Sequence, residues 1–285
     1  MNHKTIKNAI TVDVEDYYQV SAFERDVSRS DWDSIESRVE KNTDSILEVF
    51  NERNVKGTFF VLGWIAERHP KLVERIYKEG HEVACHGYSH KLIYKQNIKE
   101  FQEETLKAKH ILEDIIQDDV LGYRAASYSI TNDSLWALDI LSEAGFKYDS
   151  SIYPVLHDRY GIPGSKEQPH IITGPSGTNL IEFPLSVYQF FRYRLPISGG
   201  GYFRLYPYAF TKFALSSLNK EGCPFIFYLH PWEVDPDQPR ISTNLLSKFR
   251  HYNNLSVCKD RLIKLVNDFH FDRVDNVLRT SGFDI

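Results

Sequence analysis

Cysteine and long apolar runs are scarce in this chain, and each scarcity removes a class of protein. The three cysteines, Cys85, Cys223 and Cys258, are far apart and show no Cys-x-x-Cys spacing, so neither a disulfide framework nor a thiolate zinc site is indicated. They read as small buried hydrophobes. No stretch approaches the roughly 18 consecutive apolar residues of a membrane-spanning helix. The first twelve residues lack the apolar segment and small-residue cleavage site of a secretory signal, which makes the cytoplasm the expected location. Basic blocks are absent too: 34 Lys and Arg are outnumbered by 39 Asp and Glu, for a formal net charge of −5. Nucleic acid is therefore not the expected partner, and a neutral or cationic ligand fits better. The triplet Gly199 to Gly201 could cradle a ligand, but it has neither the Gly-Lys-Ser/Thr ending of a phosphate loop nor the glycine spacing of a dinucleotide fold.

What is present is an ordinary globular composition, 42% hydrophobic and 26% charged over 285 residues, enough for one large α/β domain with a substantial core. Short apolar runs alternate with helical patterns, the signature of repeated β-α units. Ala9 to Val14, Gly57 to Leu62, Glu82 to Cys85, Val120 to Tyr123, Leu180 to Phe183 and Pro224 to Leu229 read as strands. Helical periodicity links Ile35 to Phe50, covers Trp64 to Glu79, and recurs through Phe101, Thr105, Ala108, Leu112 and Ile115. A further helix from Asn132 to Ala144 is closed by Gly145. Residues 153–178, rich in Pro, Gly and Ser, read as a long surface loop or insertion. The expectation is a single domain over 1–285, with a C-terminal extension from about residue 233.

The unusual polar clusters fall at the C-terminal ends of the expected strands: Asp13 to Asp16, His86 to His90, Arg124, Asp149 and His230. That edge carries the active site in β/α barrels. His86 and His90, four residues apart, can close on one divalent cation. Two His and a carboxylate leave an open position for water.

Ordered motifs across Ile10 to Trp232 resemble the polysaccharide deacetylase family, the NodB-homology group of carbohydrate esterase family four. Thr11-Val-Asp-Val-Glu-Asp16 resembles its first motif, Thr58 to Gly63 the strand after it, and His86-Gly-Tyr-Ser-His90 the metal-binding second motif. Tyr123-Arg-Ala-Ala-Ser127, Tyr148-Asp-Ser-Ser-Ile-Tyr-Pro154 and Tyr228-Leu-His230 are similar to the third, fourth and fifth. Asp-Val-Glu-Asp-Tyr at 13–17, Gly-Gly-Gly-Tyr-Phe-Arg at 199–204 and His-Pro-Trp-Glu at 230–233 resemble a subgroup found beside exopolysaccharide gene clusters in bacteria with the exosortase system.

The resemblance implies a distorted (β/α) barrel of about seven mainly parallel strands, and a metal-dependent hydrolase that removes N-acetyl groups from amino sugars of a polysaccharide or its precursor, releasing acetate. It implies a divalent cofactor, Zn²⁺ first. It also implies Asp13 as general base, Arg124 as its charge partner, His230 as general acid, and His86 and His90 as ligands. A backbone N–H near Ser127 or Tyr128 would hold the oxyanion. The third ligand is open. Strand alternation puts Glu15 on the face of Asp13, while Asp16 lies past the strand end, where the chain can turn inward; Asp16 is the expected ligand, with Glu15 the alternative. Ala125 and Ala126 stand where prolines are common. Asp149, Tyr128, Tyr202 and Trp232 are candidate substrate-binding residues, with Asp149 also able to orient His230. The remaining histidines, including His3, His81, His157 and His251, are expected to be structural. A second reading is an allantoinase-like or cyclic imide hydrolase on the same scaffold, working with or without metal.

Overall fold

A computed structural model describes residues 6–157 and 159–285; His3 lies outside them. Four β-α steps and a fifth strand build the first half. They comprise β1 (Asn8–Val14), α1 (Val39–Glu52), β2 (Thr58–Val61), α2 (Gly63–Arg68), α3 (Pro70–Lys78), β3 (Glu82–Cys85), α4 (Ile98–Ile116), β4 (Gly122–Tyr123), α5 (Trp136–Glu143) and β5 (Tyr148–Asp149). The second half holds β6 (His170–Thr173), β7 (Asn179–Glu182), β8 (Val187–Phe190), β9 (Tyr193–Pro196), α6 (Gly200–Leu205), α7 (Tyr208–Lys220) and β10 (Ile226–Leu229). It ends with α8 (Leu245–Tyr252), α9 (Cys258–Asp268), β11 (Phe271–Asp272) and α10 (Val274–Thr280).

The main sheet runs β10-β1-β2-β3-β4-β5-β7-β6, with β11 also paired to β1. All its pairings are parallel except β6 with β7. The seven strands from β10 to β7 therefore form the expected distorted parallel barrel. Its open side is laced by the chain leading into and out of β8 and β9: Tyr228 N–H donates to the Ser198 carbonyl (2.7 Å), and Ile226 N–H donates to Ser186 Oγ (2.9 Å).

Alternation along β1 sorts its side chains between two cores. Ile10, Val12 and Val14 pack outward into the layer shared with the helices, whereas Ala9 joins Phe60, Ala84, Tyr148, Ile226 and Tyr228 in the lumen. A period of two then aims Thr11 and Asp13 into the same lumen. The functional carboxylate is thus fixed by the pleat of a fully buried strand.

The structure departs from the sequence reading in several places. Residues 170–173, expected within a loop, pair with β7 because Gly174 and Gly177 allow the tight return, Gly177 at φ +88°. Helix α1 starts at Val39 rather than Ile35, and Pro70 divides the expected 64–79 helix, since a proline cannot donate within a helix. Cys85 and Cys258 are buried as expected, but Cys223 is half-buried. Gly199 packs against the backbone of Tyr228 and Gly200 against its ring. At Gly199, φ is +132° and a Cβ would stand 1.8 Å from the Tyr228 carbonyl oxygen. Gly199→Ala is expected to cost at least about 3 kcal/mol, from left-handed strain added to a backbone clash, read as a loss of denaturation midpoint. An unchanged midpoint would contradict the packing described.

Candidate active site

A cavity of about 410 Å³ opens at the C-terminal edge of the sheet, with Asp13, Glu15, His86, His90 and His230 among its lining residues. The buried guanidinium of Arg124, just past β4, organises its floor. Its Nη1 donates to Asp13 Oδ1 and to Thr11 Oγ1, both at 2.7 Å. Nε donates to the Ser150 carbonyl at 3.1 Å and Nη2 to Ser150 Oγ at 3.0 Å. The guanidinium carbon lies 4.1 Å from the centre of the Phe60 ring. These contacts leave Asp13 Oδ2 facing the cavity, 3.3 Å from the Tyr128 hydroxyl and 4.0 Å from His230 Nε2.

Beside it, Glu15, His86 and His90 each offer a ligand atom within 4.8 Å of the other two. The His86 Nδ1 faces the Arg124 carbonyl at 2.8 Å, which requires the proton there and turns a bare Nε2 toward the cluster. Burial pushes the His86 imidazole down to about 4, so it is neutral, as a ligand must be. His90 Nε2 lies 2.8 Å from Glu15 Oε2, yet that buried oxygen has no hydrogen-bond partner. Two polar atoms close together without hydrogen-bond geometry are what a pair aimed at a common third centre would give. The donor set fits a divalent ion with one position open.

Asp16, the expected third ligand, is elsewhere. Its Oδ2 accepts from Ser37 Oγ (2.7 Å), Arg38 N (2.8 Å) and Val39 N (3.2 Å), and its Oδ1 from Tyr17 N (2.9 Å). It caps the N-terminus of α1, whose own cap residue supplies no side-chain acceptor. The chain turns tightly after β1, with Glu15 N–H donating to the Asp13 carbonyl, and this sends Glu15 inward and Asp16 outward.

On the facing wall His230 Nδ1 meets Glu233 Oε1 at 2.7 Å, and Glu233 Oε2 accepts from Arg204 Nε at 2.6 Å. The rest of the Arg204 guanidinium donates to the carbonyls of Arg250, His251 and Asn253. Burial opposes the charge on Glu233, but Arg204 and His230 bring its carboxyl down to about 2. Burial likewise opposes a charged His230, but Glu15, Glu233 and Asp13 lift the imidazole to about 9. Glu15 is held well below the usual carboxylate range by His90 and His230 despite its burial.

The candidate substrate residues divide. Tyr128 and Tyr202 line the cavity, Tyr128 with φ +55° after Ser127 at φ +50°. The Tyr128 N–H already donates to the Ala125 carbonyl, so it is not the free oxyanion donor expected there. Asp149 is fully buried behind Arg124 and accepts from Ser151 Oγ, and burial raises the pKa of its carboxyl and of that of Glu182, its partner on β7; it is Glu233 that touches the His230 ring. Trp232 also lines the cavity, but both faces of its ring have neighbours. Its indole is stacked between His230 (5.0 Å, 18°) and His251 (4.0 Å, 17°), and its Nε1 donates to Glu15 Oε1 at 3.2 Å. His251 and His157, expected to be structural, both line the cavity. His81 is a buried acceptor for Gly57 N–H. Glu233 and Arg204 were missed as functional residues although both stand inside noted motifs; a glutamate three residues after the histidine was the available signal.

Comparison with known proteins agrees with this geometry. Residues 28–148 match the polysaccharide deacetylase family. Residues 150–279 match a family described as a domain of unknown function, DUF3473. A peptidoglycan-N-acetylglucosamine deacetylase of Bacillus cereus is 29% identical over 46% of this chain and 52% of its own length. A chitooligosaccharide deacetylase of Bradyrhizobium is 30% identical over 35% of this chain and 43% of its own. The chain thus spans about half the length of these curated relatives. Among solved structures, a Mycobacterium smegmatis protein assigned to the polysaccharide deacetylases superposes with a TM-score of 0.65 at 19% identity, over 99% of this chain and 93% of the other. The PuuE allantoinase superposes with 0.62 at 16%, over 98% and 90%. These likenesses show the fold.

The ligand assignment is testable by elemental mass spectrometry after zinc loading. Glu15→Ala is expected to lose the ion. Asp16→Ala should keep it and lower stability by about 1–2 kcal/mol through the lost cap. The reverse pattern would restore Asp16 to the metal site.

Proposed function

We propose that this chain hydrolyses the N-acetyl group of an amino sugar in a polysaccharide or its precursor, with a divalent ion, zinc first, held by Glu15, His86 and His90. The observation that supports this most is one cavity holding that cluster, the Arg124-paired Asp13 and, opposite, a glutamate-anchored His230. The names of the curated relatives point to the same reaction class. A bound ion would bring the pKa of a water toward about 7 and polarise the acetamide carbonyl.

The protein's own residues divide the proton work. Arg124 holds Asp13 Oδ1, leaving Oδ2 free to take a proton from the attacking water. As the water oxygen bonds to the carbonyl carbon and the C–N bond breaks, His230 Nε2 delivers its proton to the departing nitrogen. An unprotonated amide nitrogen is a very poor leaving group. The products are acetate and the free amine. Glu233 fixes the His230 ring with Nδ1 protonated, so that Nε2 faces the substrate.

The test is acetate release from an N-acetylated chitooligosaccharide by zinc-loaded protein. Asp13→Asn should retain one ion per chain and lose about 10²–10⁴ in kcat, the ordinary worth of a positioned base. His90→Ala should lose both ion and turnover. Full activity in Asp13→Asn would remove Asp13 from the mechanism. Turnover of a cyclic amide by metal-stripped protein, with none on the sugar, would select the allantoinase-like reading.

A further inference from the structure

The acidic residues of this chain are unevenly placed, and so are its exposed apolar ones. None of the 39 Asp and Glu falls within Pro184 to Lys220 or Gln238 to Lys259, a fifth of the sequence. Yet of thirteen exposed large hydrophobic side chains among the described residues, nine lie in those two segments. At the tip of the β8-β9 hairpin are Phe190 (48% exposed), Phe191 (85%) and Tyr193 (56%). On α8 are Leu245 (85%), Leu246 (57%) and Phe249 (55%).

The two groups belong to one continuous face. Ring contacts run from Tyr188 on the hairpin to Phe213 and Phe210 of α7, then to Tyr206 and Tyr202, at centroid separations of 5.2 to 6.2 Å. Tyr202, Leu205, Leu246 and Phe249 line the catalytic cavity, and the Arg204 guanidinium ties α6 to the last turn of α8. The exposed cations Arg192, Lys248 and Arg250 stand along this face with no carboxylate partner among the described residues. Contiguous apolar surface of this kind marks an interaction site. Arg194 and Lys212 of the same segments are paired with Glu167 and Asp268, but aromatic rings and leucines beside the exposed Arg192, Lys248 and Arg250 suit the headgroup region of an anionic bilayer.

We propose that this face docks on an anionic membrane surface, with the cavity mouth turned toward the lipid. The face is too shallow to span a bilayer, and no helix among the described residues is long and apolar enough to cross one. The consequence for the proposed deacetylation, on which this inference rests only for the identity of the substrate, is that the amino sugar is presented at the bilayer.

The experiment is co-sedimentation of the purified chain with extruded vesicles, read without any turnover. Vesicles containing phosphatidylglycerol should bind the chain at least about tenfold more tightly than pure phosphatidylcholine, the difference shrinking as salt is raised. Phe190→Ser with Phe191→Ser, or Leu245→Ser alone, should each weaken binding about tenfold or more. The hairpin variant should keep wild-type activity on a soluble oligosaccharide. No binding by the wild-type chain, or equal binding by the variants, would overturn the proposal. So would a dimer that the same substitutions dissociate in a chain that ignores vesicles, because the face would then be an interface between copies.

Discussion

The buried guanidinium of Arg124 is the constraint on which the site depends. It reaches Thr11 and Asp13 of β1 and the chain after β5, and it lies over Phe60 of β2. Its own carbonyl holds His86 in the tautomer that leaves Nε2 bare. One residue therefore sets both the position of the carboxylate and the aim of a ligand. Such a cation is tolerated only because each of its three nitrogens has a partner; taking one member from a buried pair leaves an uncompensated charge and costs about 3–5 kcal/mol. The bulk of the fold can be seen as the seven-strand frame that keeps this pair dry and fixed.

The opposite wall solves the same problem from the other half of the chain. Glu233 sits between His230 and Arg204 as Asp13 sits beside Arg124. The residues on this wall, Arg204, His230, Trp232, Glu233 and His251, come from the segment matching the domain of unknown function, while His86, His90 and Arg124 come from the segment matching the polysaccharide deacetylases. Trp232 joins the two walls, stacked on His230 and bonded to Glu15. The exposed apolar face belongs to that same second segment, so the part matching the domain of unknown function supplies both His230 and the surface around the cavity mouth.

Much of this was legible in the sequence because it depends on local patterns. Buried parallel strands read as apolar runs, and polar residues at their ends marked the sheet edge, which located Asp13, His86, His90, Arg124 and His230 without a structure. Other features depend on what the chain meets after a turn. Asp16 and Glu15 are adjacent carboxylates, and only the position of the α1 N-terminus decides which of them caps a helix and which faces the cavity. Asp149 has the burial of a site residue, but Glu182 on the neighbouring strand captures it. Trp232 looked like a sugar platform until His251, nineteen positions later, covered its other face. The hairpin at 187–196 carries too few inward apolar residues for periodicity to announce it, since half of it faces outward.

The central claim is that Glu15, His86 and His90 converge on one ion beside Asp13. Anomalous diffraction at the zinc edge from crystals of the zinc-loaded protein tests it most directly. The account predicts a single peak about 2.0–2.2 Å from a Glu15 oxygen and one nitrogen each of His86 and His90, with Asp16 still capping α1. A peak bound by Asp16 instead, or none in protein that releases acetate from an amino sugar, would contradict it.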